Sequence, residues 1–194
     1  MINCLIQTNR SNNCLFKINK QSEIYILNSR GINTMAIQVG DKIPEGELRC
    51  KTIEGVKPVS TKELFQNKRV VLFAVPGAFT PTCSAKHLPG FTENEEEIKS
   101  KGIDTIACMS VNDAFVMDAW GKDQSVGDKI IMLADGAGDY TKKLGLELDL
   151  NEAGLGMRCK RFAMIIENEI IKYVAVEEAG KFGETSAESI LERL

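Results

Sequence analysis

Arg69-Val-Val-Leu-Phe-Ala-Val75 is apolar after its first residue and stops at Pro76-Gly77. A strand with one face in water alternates apolar and polar residues. An unbroken apolar run bounded by a turn signal instead fits a central strand covered on both faces. Ile103–Val111 and Lys129–Leu133 read as two more buried strands, and Asp113–Lys122 as a helix capped by Asn112 or Asp113. Phe162–Ile166 and Ile170–Val176 flank Glu167-Asn168-Glu169, a hairpin signal. Ser60-x-x-Glu63 and Thr185-x-x-Glu188 have the form of capping boxes, the second before the C-terminal SILERL. This order predicts an α/β fold with a central mixed sheet flanked by helices. No repeat or linker divides residues 36–194.

Residues 1–35 differ in character. They hold four basic side chains (Arg10, Lys17, Lys20, Arg30), one acid (Glu23) and seven asparagines. A basic, amide-rich, acid-poor start reads as an organellar transit segment, disordered or cleaved; an address-free tail and an internal start at Met35 are the alternatives. A mitochondrion or plastid is the expected location if the segment is an address, the cytoplasm otherwise. No window approaches about 18 consecutive apolar residues, so no membrane helix is expected. The net charge of −3 argues against a nucleic-acid partner.

Six cysteines lie at 4, 14, 50, 83, 108 and 159, without a C-x-x-C, and His87 is the lone histidine. Paired zinc ligands are therefore missing, and a domain this large does not need a disulfide framework. Neither metal nor other cofactor is expected. The acidic run Glu93, Glu95, Glu96, Glu97 precedes Lys99 and Lys101 at i,i+4 spacing and reads as a solvated helix face. Gly136-x-Gly138 and Gly154-x-Gly156 lack the third glycine of a dinucleotide loop and read as turns.

Chemistry concentrates in Val75-Pro-Gly-Ala-Phe-Thr-Pro-Thr-Cys-Ser84. A buried strand enters a Pro-Gly turn, and a cysteine follows where a helix begins. Thr80 and Thr82 suit the N-cap and Pro81 the first turn. Unpaired N–H groups and the positive end of the dipole favour a thiolate there. The Thr80 hydroxyl is placed to bond the sulfur or a bound oxygen. Cys83 is thus a candidate nucleophile, with a buried structural thiol as the plain alternative.

Pro76-x-x-x-Thr80-x-x-Cys83 matches the peroxidatic motif of the peroxiredoxins, and PGAFTPTCSAKHLPGF resembles their type II (atypical) subfamily. The resemblance extends over residues 36–194 through Ile106–Asp113, Leu133–Gly136, Leu144–Asp149 and Arg158–Phe162. The N-terminal extension makes the chain most similar to organellar members, the apicomplexan antioxidant proteins among them. The resemblance implies a thioredoxin-like fold in which Cys83 attacks hydrogen peroxide or an alkyl hydroperoxide and becomes a sulfenic acid. Thr80 and Arg158 match the family's other two catalytic positions, and Pro76 shields the thiolate. Fixed donors aimed at the peroxide oxygens stabilise the charge that develops as the O–O bond breaks. Arg161 is a weaker candidate, read as a partner for the acidic surface.

A Cys-His hydrolase would need His87, at i+4 from Cys83, as its base, together with a third group to orient it. A thioredoxin-like oxidoreductase lacks its C-x-x-C. A redox-sensing or chaperone module would not consume peroxide. Cys108 stands where many type II members carry a second, resolving cysteine, yet it falls within a buried strand. The expected reductant is glutathione with glutaredoxin, thioredoxin being the other donor. A homodimer is implied, with Phe79, Phe115 and Trp120 as surface candidates. Cys50 and Cys159 read as inert buried thiols.

Overall fold

Residues 69–74 lie inside a seven-stranded mixed sheet, as their uninterrupted apolar character requires. The structure is a computed structural model. It describes residues 36–194, which form one compact unit, and before them only the backbone of four short strands. Those are Ile6–Thr8, Cys14–Phe16, Tyr25–Asn28 and Gly31–Ile32, each antiparallel to the next. Apart from those strands, residues 1–35, on which the transit-segment expectation falls, lie outside the described residues.

Within residues 36–194 the strands are β1 (Glu47–Thr52), β2 (Gly55–Ser60), β3 (Arg69–Ala74), β4 (Thr105–Ser110) and β5 (Ile131–Ala134). They continue with β6 (Glu147–Leu150), β7 (Gly156–Cys159), β8 (Phe162–Glu167) and β9 (Ile170–Val176). The helices are α1 (Thr61–Phe65), α2 (Leu88–Glu93), α3 (Glu95–Ser100), α4 (Ala114–Asp123), α5 (Asp139–Leu144) and α6 (Ala187–Leu191). The sheet order is β9-β8-β3-β4-β5-β1-β2, with β6 and β7 forming a separate hairpin. β3, β4 and β5 run parallel, while β8 is antiparallel to β3 and pairs Phe162 with Ala74.

Successive side chains of β3 point to opposite faces. Val71, Phe73 and Val75 enter one apolar core with Cys83, Phe91, Ile106, Cys108 and Trp120. Val70, Leu72 and Ala74 enter a second with Phe65, Leu133, Tyr140 and Phe162. Each fully buried Val, Leu or Phe contributes about 1.5–3 kcal/mol, so β3 anchors both layers.

Two of the expected caps form, while neither Thr80 nor Thr82 caps the helical segment of Cys83 with its side chain. Asp113 Oδ1 accepts from the N–H of Phe115 and of Val116, both at 2.9 Å, and Ser60 caps α1. The second capping box is corrected: Ser186, not Thr185, caps α6 by accepting from Ser189 N at 3.2 Å. Thr185 is engaged elsewhere, its N–H and hydroxyl both donating to Glu177 Oε1 at 3.0 and 3.2 Å. In the acidic run Glu95 pairs with Lys99 but is itself largely covered, so that position is not a solvated one. Gly138 and Gly154 adopt positive φ beside helix ends, and Gly156 does so at the first residue of β7. The hairpin joining β8 and β9 turns through Asn168 and Glu169, both left-handed at φ 47° and 69°.

Candidate active site

The last sheet bond before the site runs from Val75 N to Met109 O at 3.0 Å, and Pro76, which has no N–H, ends the ladder. At Gly77 an added Cβ would stand 3.1 Å from both Arg158 Nη1 and Thr80 Cγ2, so only glycine fits without displacing one of them. Phe79 takes φ 61°, a left-handed backbone costing a non-glycine residue about 1–2 kcal/mol, and half of its ring faces solvent. Helical backbone begins at residue 81, where the Thr80 carbonyl accepts from Ser84 N at 3.0 Å. Cys83–His87 then form a single π-turn, closed by Leu88 N–H donating to the Cys83 carbonyl, before α2 continues. Inserted π-turns are rare and concentrate at functional sites.

Cys83 has no solvent-exposed surface. Its sulfur accepts from Arg161 Nη2 at 3.4 Å, and Arg161 Nη1 donates to His87 Nδ1 at 2.9 Å. His87 is also fully buried, and its Nε2 lies 2.9 Å from the Thr185 carbonyl. A carbonyl only accepts and a guanidinium only donates, so Nε2 carries the proton and Nδ1 offers its lone pair. Burial, and then the Arg161 charge, lower the His87 pKa to about 3 against a smaller opposing effect of the Thr185 carbonyl. His87 is therefore a neutral, orientated acceptor that holds the guanidinium. This engagement of Nδ1 removes the hydrolase reading, because the imidazole is not directed at the thiol as a base. The Phe182 ring closes the far side, 5.2 Å from the imidazole and 5.7 Å from the guanidinium carbon.

The sequence ranked Arg158 above Arg161, and the structure gives the contact with Cys83 to Arg161. Nor does Arg161 serve the acidic surface: it is 9% exposed. It occupies the two-residue gap between β7 and β8. Because β8 pairs Phe162 with Ala74, the residue before Phe162 lies level with the exit of β3. That register is the signal which could have favoured it. Arg158, on β7, donates through Nε to Leu155 O at 2.7 Å and through Nη1 to Pro76 O and Val111 O, both at 3.4 Å. The Thr80 hydroxyl donates to Gly77 O at 2.9 Å, which braces the turn. Pro76, Thr80 and Arg161 line one cleft of about 670 Å³, whose other walls include Leu148, Leu150, Leu155 and Lys160.

Cys108 is fully buried on β4 in the same core as Cys83, and desolvation first, then the neighbouring Cys83, raise its pKa well above the usual thiol range. Burial likewise pushes Cys159 up to about 12, while half-buried Cys50 is raised by burial and by Asp118. Trp120 is fully buried, with Nε1 donating to Ser84 Oγ at 3.0 Å, so it is a core residue and not a dimer-surface candidate. Phe79 and Phe115 are exposed. Among the described residues no group of His, Cys, Asp or Glu could hold a metal ion, and no helix is long and apolar enough to cross a membrane.

A buried thiol under a guanidinium, at a strand-to-helix junction of a helix-flanked mixed sheet and with Cys108 in the same core, has the form of a cysteine redox centre. The Redoxin family model matches residues 38–191. Arabidopsis thaliana peroxiredoxin-2E, chloroplastic, is 49% identical over 165 residues, covering 83% of this chain and 70% of that protein. Peroxiredoxin-2D of the same plant is 49% identical, covering 81% and 98%. The crystal structure of reduced Prx3 from Vibrio vulnificus in complex with H2O2 superposes with TM-score 0.78 at 48% identity, covering 81% and 98%. That of the Plasmodium falciparum antioxidant protein, a 1-Cys peroxiredoxin, gives 0.76 at 30%, again covering 81% and 98%. The chain belongs to the Redoxin family, has its thioredoxin-like fold, and is a peroxiredoxin of type II, a thiol-dependent peroxidase.

Proposed function

We propose that Cys83 reduces hydrogen peroxide and alkyl hydroperoxides, and that glutathione with glutaredoxin returns it to the thiol. The observation that carries this reading is the Arg161 guanidinium on Cys83 Sγ at 3.4 Å, held from behind by His87. The thiolate attacks one peroxide oxygen: an S–O bond forms, the O–O bond breaks, and the departing hydroxide or alkoxide takes up a proton to leave as water or alcohol. Sulfur is oxidised by two electrons as the peroxide is reduced by two. Arg161 stabilises the separating oxygens, joined by the Thr80 hydroxyl when it turns from Gly77 O toward the peroxide, and Pro76 screens the sulfur from water. Arg158 secures the turn that carries Thr80. Three leucines on the cleft wall suit the apolar body of an alkyl hydroperoxide.

Glutathione displaces water from the sulfenic acid to give a mixed disulfide, which a second thiol resolves. Glutaredoxin supplies that thiol in this reading, and thioredoxin is the competing donor. The exposed rings of Phe79 and Phe115 suit a homodimer contact beside the site. The N-terminal residues serve as an organellar address in this reading, two of the relatives being named chloroplastic.

Cys83→Ser tests the centre of the reading. The hydroxyl nearly matches the thiol in size but is a far weaker nucleophile. Peroxide consumption with glutathione plus glutaredoxin is expected to vanish while the thermal transition persists. Turnover comparable with the unaltered chain would defeat the assignment.

A further inference from the structure

Within the 76–80 turn only Thr80 braces the backbone, its hydroxyl and N–H donating to Gly77 O, although Phe79 is an aromatic residue in left-handed backbone. Ties from outside add to that brace. Two of them reach the turn from the same place. Ala78 N–H donates to Asn112 Oδ1 at 3.0 Å, and the Pro76 carbonyl accepts from Arg158 Nη1, which itself lies 3.5 Å from Asn112 Oδ1. The Ser110 hydroxyl donates to that oxygen as well, at 2.8 Å. A backbone amide and a guanidinium can only donate, so the Asn112 carboxamide must present its oxygen, not its nitrogen, to the turn. Asn112 follows β4 after one residue, Val111, and Asp113 beside it caps α4. The acceptor is thus mounted on the sheet, outside the part it braces.

We infer that Asn112 is a positioning residue for the peroxide step, its side-chain oxygen holding the Pro76–Thr80 turn and Arg158 so that the Thr80 hydroxyl meets the oxygen that Cys83 attacks. This rests on the peroxidase reading above. Loss of the acceptor leaves the Ala78 N–H unpaired and lets Phe79 relax toward ordinary backbone, which carries Thr80 with it. Displacements of about 1 Å can cost 10²-fold in rate where reacting groups must be aligned. Cys83 is held separately, from Arg161 and the π-turn, so its reaction with a reagent needing only the thiolate is left alone.

The experiment compares two second-order rate constants at Cys83, for oxidation by hydrogen peroxide and for alkylation by iodoacetamide. Asn112→Leu is expected to slow oxidation roughly ten- to a hundredfold and not to slow alkylation by more than about twofold. Asn112→Asp, which keeps the acceptor oxygen, is expected to recover most of the oxidation rate. Unchanged oxidation in Asn112→Leu, both rates falling together, or an Asn112→Asp protein as slow as Asn112→Leu would overturn the inference. If Asn112→Leu does not fold, Ser110→Ala replaces it: removing the donor that helps fix the carboxamide should lower the oxidation-to-alkylation ratio severalfold, and an unchanged ratio overturns the inference. Should the unaltered protein fail to outpace Cys83→Ser with peroxide, the peroxidase reading itself fails and this one goes with it.

Discussion

A thiolate without solvent contact needs a cation and hydrogen bonds to offset its desolvation, which costs several kcal/mol. Arg161 supplies both to Cys83, and its fork geometry lets one guanidinium serve the sulfur and His87 Nδ1 together. Arg161→Met is therefore expected to lower the rate of Cys83 oxidation by about 10²-fold or more. Arg161→Lys keeps a charge but cannot span both acceptors, and should fall between. Arg158→Met removes bonds to carbonyls of the turn and not to the sulfur, so a smaller loss is expected. Stopped-flow oxidation of the three variants ranks the two arginines; a larger loss at Arg158 would restore the order suggested by sequence resemblance.

The helical segment after β3 carries Cys83 and His87 one turn apart, and the pH response follows from where that turn is buried. With its pKa lowered to about 3, His87 stays neutral in the folded protein, whereas in the unfolded chain it titrates near 6.5. Between those values the unfolded chain binds a proton that the folded one excludes. Stability is therefore full above about pH 6.5 and is lost as the pH falls toward 3. Urea midpoints should drop more steeply from pH 7 to pH 4 in the unaltered protein than in His87→Gln, which has no such group; parallel curves would refute the assignment. Much at this scale was legible beforehand. The strand at 69–74, the Asp113 cap, the β8–β9 hairpin and the strand-to-helix place of Cys83 all follow from local pattern. What escaped reading depends on tertiary contacts. The π-turn is an i→i+5 closure with no sequence period of its own. Thr185 is drawn from its cap by Glu177, eight residues earlier, beyond the i,i+3 reach of a capping box. Arg161 gains its place only from the antiparallel register of β8 on β3.

Across the whole molecule, Cys83 and Cys108 share one core layer, with Cys108 on β4 in parallel register with Phe73 of β3. A disulfide between them needs Cα atoms roughly 4.4–6.8 Å apart with suitably directed Cβ vectors. Cys83 is fixed in a π-turn bonded to Leu88 and Arg161, and Cys108 in the ladder of a strand paired on both sides, so bridging by rearrangement disturbs helix and sheet together. The buried Cys108 thiol, its pKa raised, is also poorly supplied with the thiolate that attacks a sulfenic acid. Because Cys83 is fully buried, an external thiol must enter by way of the cleft at Thr80 and Arg161 or during an opening of the turn. Such an opening disturbs one helical turn, where the internal bridge disturbs the sheet as well. Cys108→Ser is accordingly expected to keep most glutathione-dependent peroxidase activity. Mass spectrometry of the unaltered protein treated with peroxide and glutathione should find the glutathione adduct on Cys83. A dominant Cys83–Cys108 disulfide, together with a Cys108→Ser protein inactive with every reductant, would establish the two-cysteine route instead.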